Sequence, residues 1–349
     1  MTLALLIPGP LAQLTGGYLF ARRVVEGLRT RGRAVTVVEL EGRFPDADDA
    51  ARAAASAALR DLPAGSIAVI DGLALPGFTE CLPRETQRLR LIGFIHHPLS
   101  RETGLDPGAA QRYAEVEARL WPLLRGAICP SAHTARALID AGLPAQRVAV
   151  ASPGTDKAVA IPDHGRRNAL HLLTVGTVTP RKGHLLLVEA LAGLRELEWQ
   201  LTCIGSLERD RAAADALRRA IAEKALVERV VLAGECAPAR VSNAYAAADV
   251  FVLPSYEEGY GMVCAEALAH GLPLVTTTAG AIAETVPASA ALFVPPGDTI
   301  ALRDALCRMM TDATLRMRLA SGAALAARAL PDWSEAVRVW SAALDRLAA

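Results

Sequence analysis

Glu258 and Glu266 stand eight positions apart in the stretch ADVFVLPSYEEGYGMVCAEALAHGLPLVTTTAG (248–280), one in a Gly-rich turn and one in the helix-forming run after it. Carboxylates accept paired hydrogen bonds from vicinal hydroxyls, and such charge-assisted bonds are about twice as strong as neutral ones. Two of them at this spacing suit a polyhydroxylated ligand held from two sides. The plainer alternative makes Glu258 a partner of a helix dipole and leaves Glu266 exposed. A second pair, Arg181 and Lys182, lies in GTVTPRKGH (176–184), a turn that follows an apolar run and begins at Gly176. A guanidinium binds phosphate oxygens bidentately and an ammonium acts as a mobile point charge, so together they suit a diphosphate whose charge grows as it leaves. A solvated basic turn is the competing account. It is weakened by the scarcity of lysine, since Lys157, Lys182 and Lys224 are the only three in the chain.

The elements that must carry these residues alternate. Apolar runs at 3–7, 34–39, 67–70, 91–95, 126–129 and 148–151 read as strands, with helices such as 18–31 and 50–60 between them. The run 152–168 lacks periodicity and is rich in turn formers, which reads as a linker. The alternation restarts with strands at 170–175, 200–204, 230–233, 250–253 and 274–278. Helices fall at 185–194, 211–225, 300–310, 314–329 and 333–347. This is the pattern of parallel α/β sheets. Two such domains place a ligand in a cleft at the carboxyl ends of their strands. Near the start, Gly16 and Gly17 let the backbone approach a ligand ahead of a helix. Neither domain opens with GxGxxG, which counts against a nicotinamide cofactor.

Composition limits the classes. The 349 residues hold 37 basic and 37 acidic side chains, so there is no electrostatic footprint for nucleic acid. No apolar run approaches about 18 residues, the length needed to span a membrane. The N-terminus lacks a basic segment and reads as a first strand, not a signal peptide. Six scattered cysteines without a CxxC pair fit reduced thiols in a cytoplasmic protein. Asp46-Ala47-Asp48 has the form of a metal-diphosphate motif, yet it leads into an Ala-rich helix where carboxylates serve the N-terminus.

The pieces VGTVTPRKG, ADVFVLPSYEEGYGMVCAEALAHGLPLV and TTTAGAIAETV resemble glycosyltransferase family 4, retaining enzymes of the GT-B fold. The resemblance extends over nearly the whole chain, through PSAHTARAL, PGTD and DWSEAV. It implies an N-terminal acceptor-binding domain (1–160), a donor-binding domain (161–330) and a C-terminal helix (331–349) that packs back toward the first. It further implies that Arg181 and Lys182 clamp the diphosphate of a UDP- or GDP-sugar and that Glu266 binds the nucleotide ribose. Glu258, with Gly259, Tyr260, Gly261 and Met262, would hold the donor sugar, and the base would pack near 234–241. In FIHHPLSRETG the resemblance sets His96 and His97 at a strand end near the reactive carbon; Glu102, six residues on from His96, reads separately as a neighbour that could orient one of them. His133, His164, His171, His184 and His270 read as structural.

The reaction implied by the resemblance is metal-independent hexosyl transfer to a saccharide, lipid-linked or small-molecule hydroxyl, with no cofactor beyond the donor. A front-face route is favoured, because the covalent alternative needs a carboxylate beneath the anomeric carbon and none is assigned there. One departure is Thr177, which stands where the family often has an arginine. Arg22, Arg23, Arg29, Arg31 and Arg33 form a basic cluster that reads as a solvated helix face, with peripheral membrane docking as the alternative. A GT-B epimerase is disfavoured by the Glu-x7-Glu element and a phosphorylase by the lack of a pyridoxal lysine context. A non-catalytic nucleotide-sugar binder is disfavoured by His96 and His97.

Overall fold

The computed structural model describes residues 2–157 and 169–349. The chain divides into two compact units, Met1–Gly154 with Pro331–Ala349, and Thr155–Leu330. Residues 152–157 carry no helix or strand. The rest of the expected linker, 158–168, with His164, lies outside the described residues.

The first unit holds strands β1 (Leu3–Pro8), β2 (Val35–Leu40), β3 (Ile67–Asp71), β4 (Arg90–Phe94), β5 (Gly126–Cys129) and β6 (Val148–Val150). Its helices are α1 (Gly16–Thr30), α2 (Asp49–Arg60), α3 (Leu82–Glu85), α4 (Pro107–Leu120) and α5 (Ala132–Asp140). The second holds β7 (Leu170–Val175), β8 (Trp199–Ile204), β9 (Val230–Gly234), β10 (Val250–Leu253), β11 (Leu274–Thr277) and β12 (Ala291–Val294). Between them run α6 (His184–Ala192), α7 (Arg211–Glu223), α8 (Pro238–Ala247), α9 (Met262–Ala269), α10 (Ile282–Thr285), α11 (Thr299–Thr311) and α12 (Ala313–Ala327). A last helix, α13 (Trp333–Ala348), belongs to the first unit.

Both sheets are parallel and six-stranded, ordered β2-β1-β3-β4-β5-β6 and β12-β11-β10-β7-β8-β9. Parallel strands covered on both faces read as continuous apolar runs. Every residue of β1, β3, β5 and β10 is buried accordingly. The strand order reverses between β1 and β3 in one sheet and between β7 and β10 in the other. Such switch points are where open α/β sheets bind ligands, because the loops diverge there.

Three departures from the expected elements bear on function. Helix α1 begins at Gly16 and not at 18, so Gly16 and Gly17 form its first turn behind the extended Thr15. Half of the 234–241 stretch is helix, because Pro238 sits at the first position of α8, where its missing N–H costs nothing. The second sheet also gains β12, a short ALFV run paired in register with β11.

The C-terminal helix closes the first unit. Trp340 is buried edge-on to Phe94 at 5.7 Å between ring centroids, and Asp345 pairs with Arg33 at 2.7 Å. Two more arginines of the basic cluster have inward contacts: Arg29 donates to the Val35 carbonyl at 2.8 Å, and the Arg23 guanidinium lies over Trp333. Among the described residues no helix is long and apolar enough to cross a membrane.

Candidate active site

The switch point of the second sheet brings two distant turns together. The turn after β7 carries Arg181 and Lys182, and the turn after β10 carries Ser255 to Gly261. Backbone and side chains tie the two: the Tyr256 N–H donates to the Arg181 carbonyl at 2.8 Å, and Arg181 Nη1 donates to the Glu257 carbonyl at 2.8 Å. Lys182 Nζ then donates to Glu258 Oε1 at 2.6 Å, and Ser255 Oγ donates to the same oxygen at 2.7 Å. Arg181 Nη1 stands 3.7 Å from Glu258 Oε2. Burial works against the charged form of Glu258, but the Lys182 ammonium, the Arg181 guanidinium and the Ser255 hydroxyl overcome it and hold the carboxyl below its usual range.

The local sequence explains why this turn is rigid. Gly183 takes a left-handed conformation at φ +70°, and a Cβ there would overlap the Pro254 carbonyl oxygen. Gly280 at φ +56° faces the Glu258 backbone in the same way. Thr277 Oγ1 donates to the Ser255 carbonyl at 2.7 Å and Thr276 Oγ1 to the Leu253 carbonyl at 2.9 Å, so β11 braces the end of β10. The Lys182 methylenes cross Gly176 at van der Waals distance of where a side chain would begin. Gly259, Tyr260, Gly261 and Met262 continue from Glu258 into α9, with Gly261 left-handed at φ +85° as the N-cap. Thr285 Oγ1 donates to the Tyr260 carbonyl at 2.7 Å.

Glu266 lies on α9 and is half-buried, not exposed. The Tyr245 hydroxyl donates to its Oε2 at 2.8 Å. Burial drives the Glu266 carboxyl up to about 7, opposed by the Tyr245 hydrogen bond and reinforced by the charge of Asp156. The two glutamates the sequence pairs by spacing thus occupy opposite electrostatic settings, one held below the usual carboxylate range by cations and one raised above it by burial.

His96 and His97 belong to the first unit, just past β4. His96 packs against Phe94 at 4.4 Å and Phe20 at 5.9 Å between ring centroids. Its Nε2 lies 3.3 Å from Asp71 Oδ2, close enough for an ion pair though without hydrogen-bond alignment. Asp71 is buried at the end of β3 and its Oδ1 accepts the Leu73 N–H at 2.9 Å. Gly17 is beside this pair, where a Cβ would touch the His96 ring at 3.5 Å. The loop beyond is pinned by Glu117 of α4, which accepts the Leu99 N–H and the Ser100 hydroxyl, each at 2.6 Å. Glu102 accepts the Thr103 N–H at 3.2 Å.

The sequence reading missed Asp71, Ser255 and Tyr245. Asp71 closes an apolar strand run, a signal readable in IAVID; Ser255 and Tyr245 have no local signature. Asp48 of the Asp46-Ala47-Asp48 motif caps α2 through the Ala51 N–H at 2.9 Å, and Asp46 accepts the Tyr113 hydroxyl at 2.7 Å. Among the described residues no group of three or more His, Cys, Asp or Glu could hold a metal ion.

Comparison with known proteins bears on the fold and on the second unit's sequence. The model of the family Glycosyl transferases group 1 matches residues 169–312. D-inositol 3-phosphate glycosyltransferase of Thermomonospora curvata is 29% identical over 244 residues, 63% of this chain and 55% of that protein. The chain thus spans little more than half the length of that relative. Sucrose-phosphate synthase from Thermosynechococcus elongatus superposes with a TM-score of 0.82 at 21% identity, covering 98% of each chain. Anabaena HepE in complex with UDP and glucose superposes with a TM-score of 0.76 at 18% identity, covering 99% of each chain. Segment 169–312 is thus similar to the group 1 glycosyl transferases, and the two parallel sheets have the GT-B fold of these solved structures.

Proposed function

We propose that this chain is a retaining hexosyltransferase that moves a sugar from a UDP- or GDP-sugar to an acceptor hydroxyl, without a metal. The observation that carries the reading is the convergence of Arg181, Lys182 and Glu258 at the β7/β10 switch point. Arg181 and Lys182 bind the diphosphate and stabilise its growing charge, the task a divalent ion performs elsewhere. Lys182 turns from Glu258 toward the phosphates as the donor enters. Glu258 and the turn from Gly259 to Met262 hold the sugar hydroxyls, and Glu266 holds the ribose. His96, steadied by Asp71, serves the reacting end on the first unit, with His97 beside it.

A carboxylate that accepts from the Ser255 hydroxyl and from the sugar's own hydroxyls is a poor nucleophile. This supports the front-face route, with the leaving diphosphate taking the acceptor proton. A glycosylated Glu or Asp trapped and detected by mass spectrometry would overturn it.

Thermal shift with UDP-, GDP- and ADP-sugars tests the whole reading, since a ligand at 100 times its Kd stabilises by about 2.7 kcal/mol. At least one should raise the Tm, and that donor should be hydrolysed slowly without acceptor. No shift with any of them rejects the reading. Transfer should persist in EDTA; complete loss restored by magnesium or manganese would reject metal independence.

A further inference from the structure

Tyr245 is buried on α8, 2% exposed. Its ring stacks on His270 at 5.0 Å between centroids and tilts against Phe251 at 5.7 Å. Packing alone would be served equally by phenylalanine. The hydroxyl lies 2.8 Å from Glu266 Oε2 and 3.2 Å from the Val263 carbonyl oxygen.

A phenol has one proton and two acceptor positions. When Glu266 is ionised, the shorter, charge-assisted bond takes that proton. When Glu266 is protonated, its own O–H donates to the phenol oxygen and the phenol proton turns to Val263. One hydroxyl therefore satisfies Glu266 in both states and keeps its side chain in one place. His270, at the end of α9, fixes the arrangement from the far side, with its Nδ1 2.8 Å from the Glu266 carbonyl and its face on the Tyr245 ring. Among the described residues Glu266 Oε1 has no hydrogen-bond partner.

We propose that Tyr245 is a positioning residue of the nucleotide site: it holds one oxygen of Glu266 so that the other is presented to the vicinal hydroxyls of a nucleotide ribose. The proposal rests on the assignment of Glu266 to the ribose under the proposed function. The titratable groups interacting with Glu266 are Tyr245 from α8, Asp156 from the segment entering the second unit, and Cys264 of its own helix, with His270 on its backbone carbonyl. Of these, Tyr245 favours the carboxylate and Asp156 opposes it.

The test uses the full chain and Tyr245→Phe, which keeps the ring and removes the hydroxyl. Binding of UDP and GDP, each beside its 2′,3′-dideoxy analogue, is measured by calorimetry from pH 6 to 8.5. Tyr245→Phe should weaken binding of the preferred ribonucleotide about tenfold, the worth of one hydrogen bond to a charged group. It should leave the dideoxy analogue unchanged and raise KM for the donor far more than it lowers kcat. The Glu266 carboxyl, followed by carbon-detected NMR in the ligand-free protein, should titrate at higher pH by about one pH unit in the variant. Equal losses for ribo- and dideoxy-nucleotides, or equal affinity of both proteins for the ribonucleotide, would overturn the proposal and leave the functional reading standing. If neither nucleotide binds the unaltered chain, that reading fails, and the carboxyl titration decides whether Tyr245 controls Glu266: an unmoved titration overturns this too.

Discussion

Lys182 and Glu258 are 76 residues apart in sequence and 2.6 Å apart in space, at the ends of the adjacent strands β7 and β10. Their side chains are 13% and 8% exposed, so each is the other's main compensation for lost water. Removing one partner of a buried pair costs about 3 kcal/mol or more, whereas removing both costs less than the sum. In denaturant unfolding, Lys182→Met and Glu258→Gln should each destabilise on that scale, and the double variant should be more stable than additivity gives.

Under the proposed function, variants of the same pair should separate the two binding roles. Lys182→Met should weaken nucleoside diphosphate binding tenfold or more, on the order of one charge-assisted contact. Glu258→Gln frees the ammonium and should leave diphosphate affinity equal or tighter while lowering turnover. Weaker nucleotide binding in Glu258→Gln would reject this division.

Two buried groups should set opposing pH slopes. Glu266 titrates near 7 in the fold against an ordinary 4.5, so its contribution is present below pH 4.5 and lost as pH rises through 7. His184 is buried and its pKa is lowered from 6.5 to about 4 by burial and then by Lys182. Its contribution is present above pH 6.5 and lost as pH falls through 4. Between about pH 4.5 and 6.5 the slopes oppose. Glu266→Gln should therefore become more stable as pH rises across that window, and His184→Leu less stable, each by on the order of 2 kcal/mol. Parallel curves for both variants would refute the assignment.

Asp71 should act through His96. Asp71→Asn keeps the acceptor for the Leu73 N–H but loses the charge facing the imidazole. Turnover should fall about tenfold with donor affinity unchanged, and His96→Ala should fall further. Groups acting as a unit are strongly non-additive, so Asp71→Asn should do little in the His96→Ala background. An additive loss in steady-state kinetics would show independent roles.

Gly183 and Gly280 carry both left-handed backbone and close contact with the Pro254 and Glu258 carbonyls, whereas Gly32 at φ +79° has open space around it. Gly32→Ala should cost about 1 kcal/mol, the backbone strain alone. Gly183→Ala and Gly280→Ala should each cost more than about 2 kcal/mol and also weaken donor binding, because the obstructed backbones carry Lys182 and Glu258. Equal losses at all three sites in denaturant unfolding would show that the close contacts are unimportant.

Much of the architecture is legible locally. Gly126–Cys129 and Val250–Leu253 begin and end where their apolar runs do, because a strand buried on both faces must be apolar throughout. Helix ends are less legible. The Gly16-Gly17 pair suggests a loop, yet the extended Thr15 starts α1 there, and Gly17 leaves room for the His96 ring. Strand β12 escapes notice because ALFV is too short to distinguish from a buried turn, and only its pairing with β11 makes it a strand.

The residue types proposed to do chemistry are also visible in the sequence: two carboxylates around a Gly-rich turn, an Arg-Lys pair in an otherwise lysine-poor chain, and histidines at a strand end. Their electrostatic states are not. Glu258 and Glu266 look alike in sequence, and only the fold sets one against Lys182 and Arg181 and the other against Tyr245. Element type follows from periodicity, which is local. Charge state follows from which strands become neighbours at a switch point, and strand order is a property of the whole sheet.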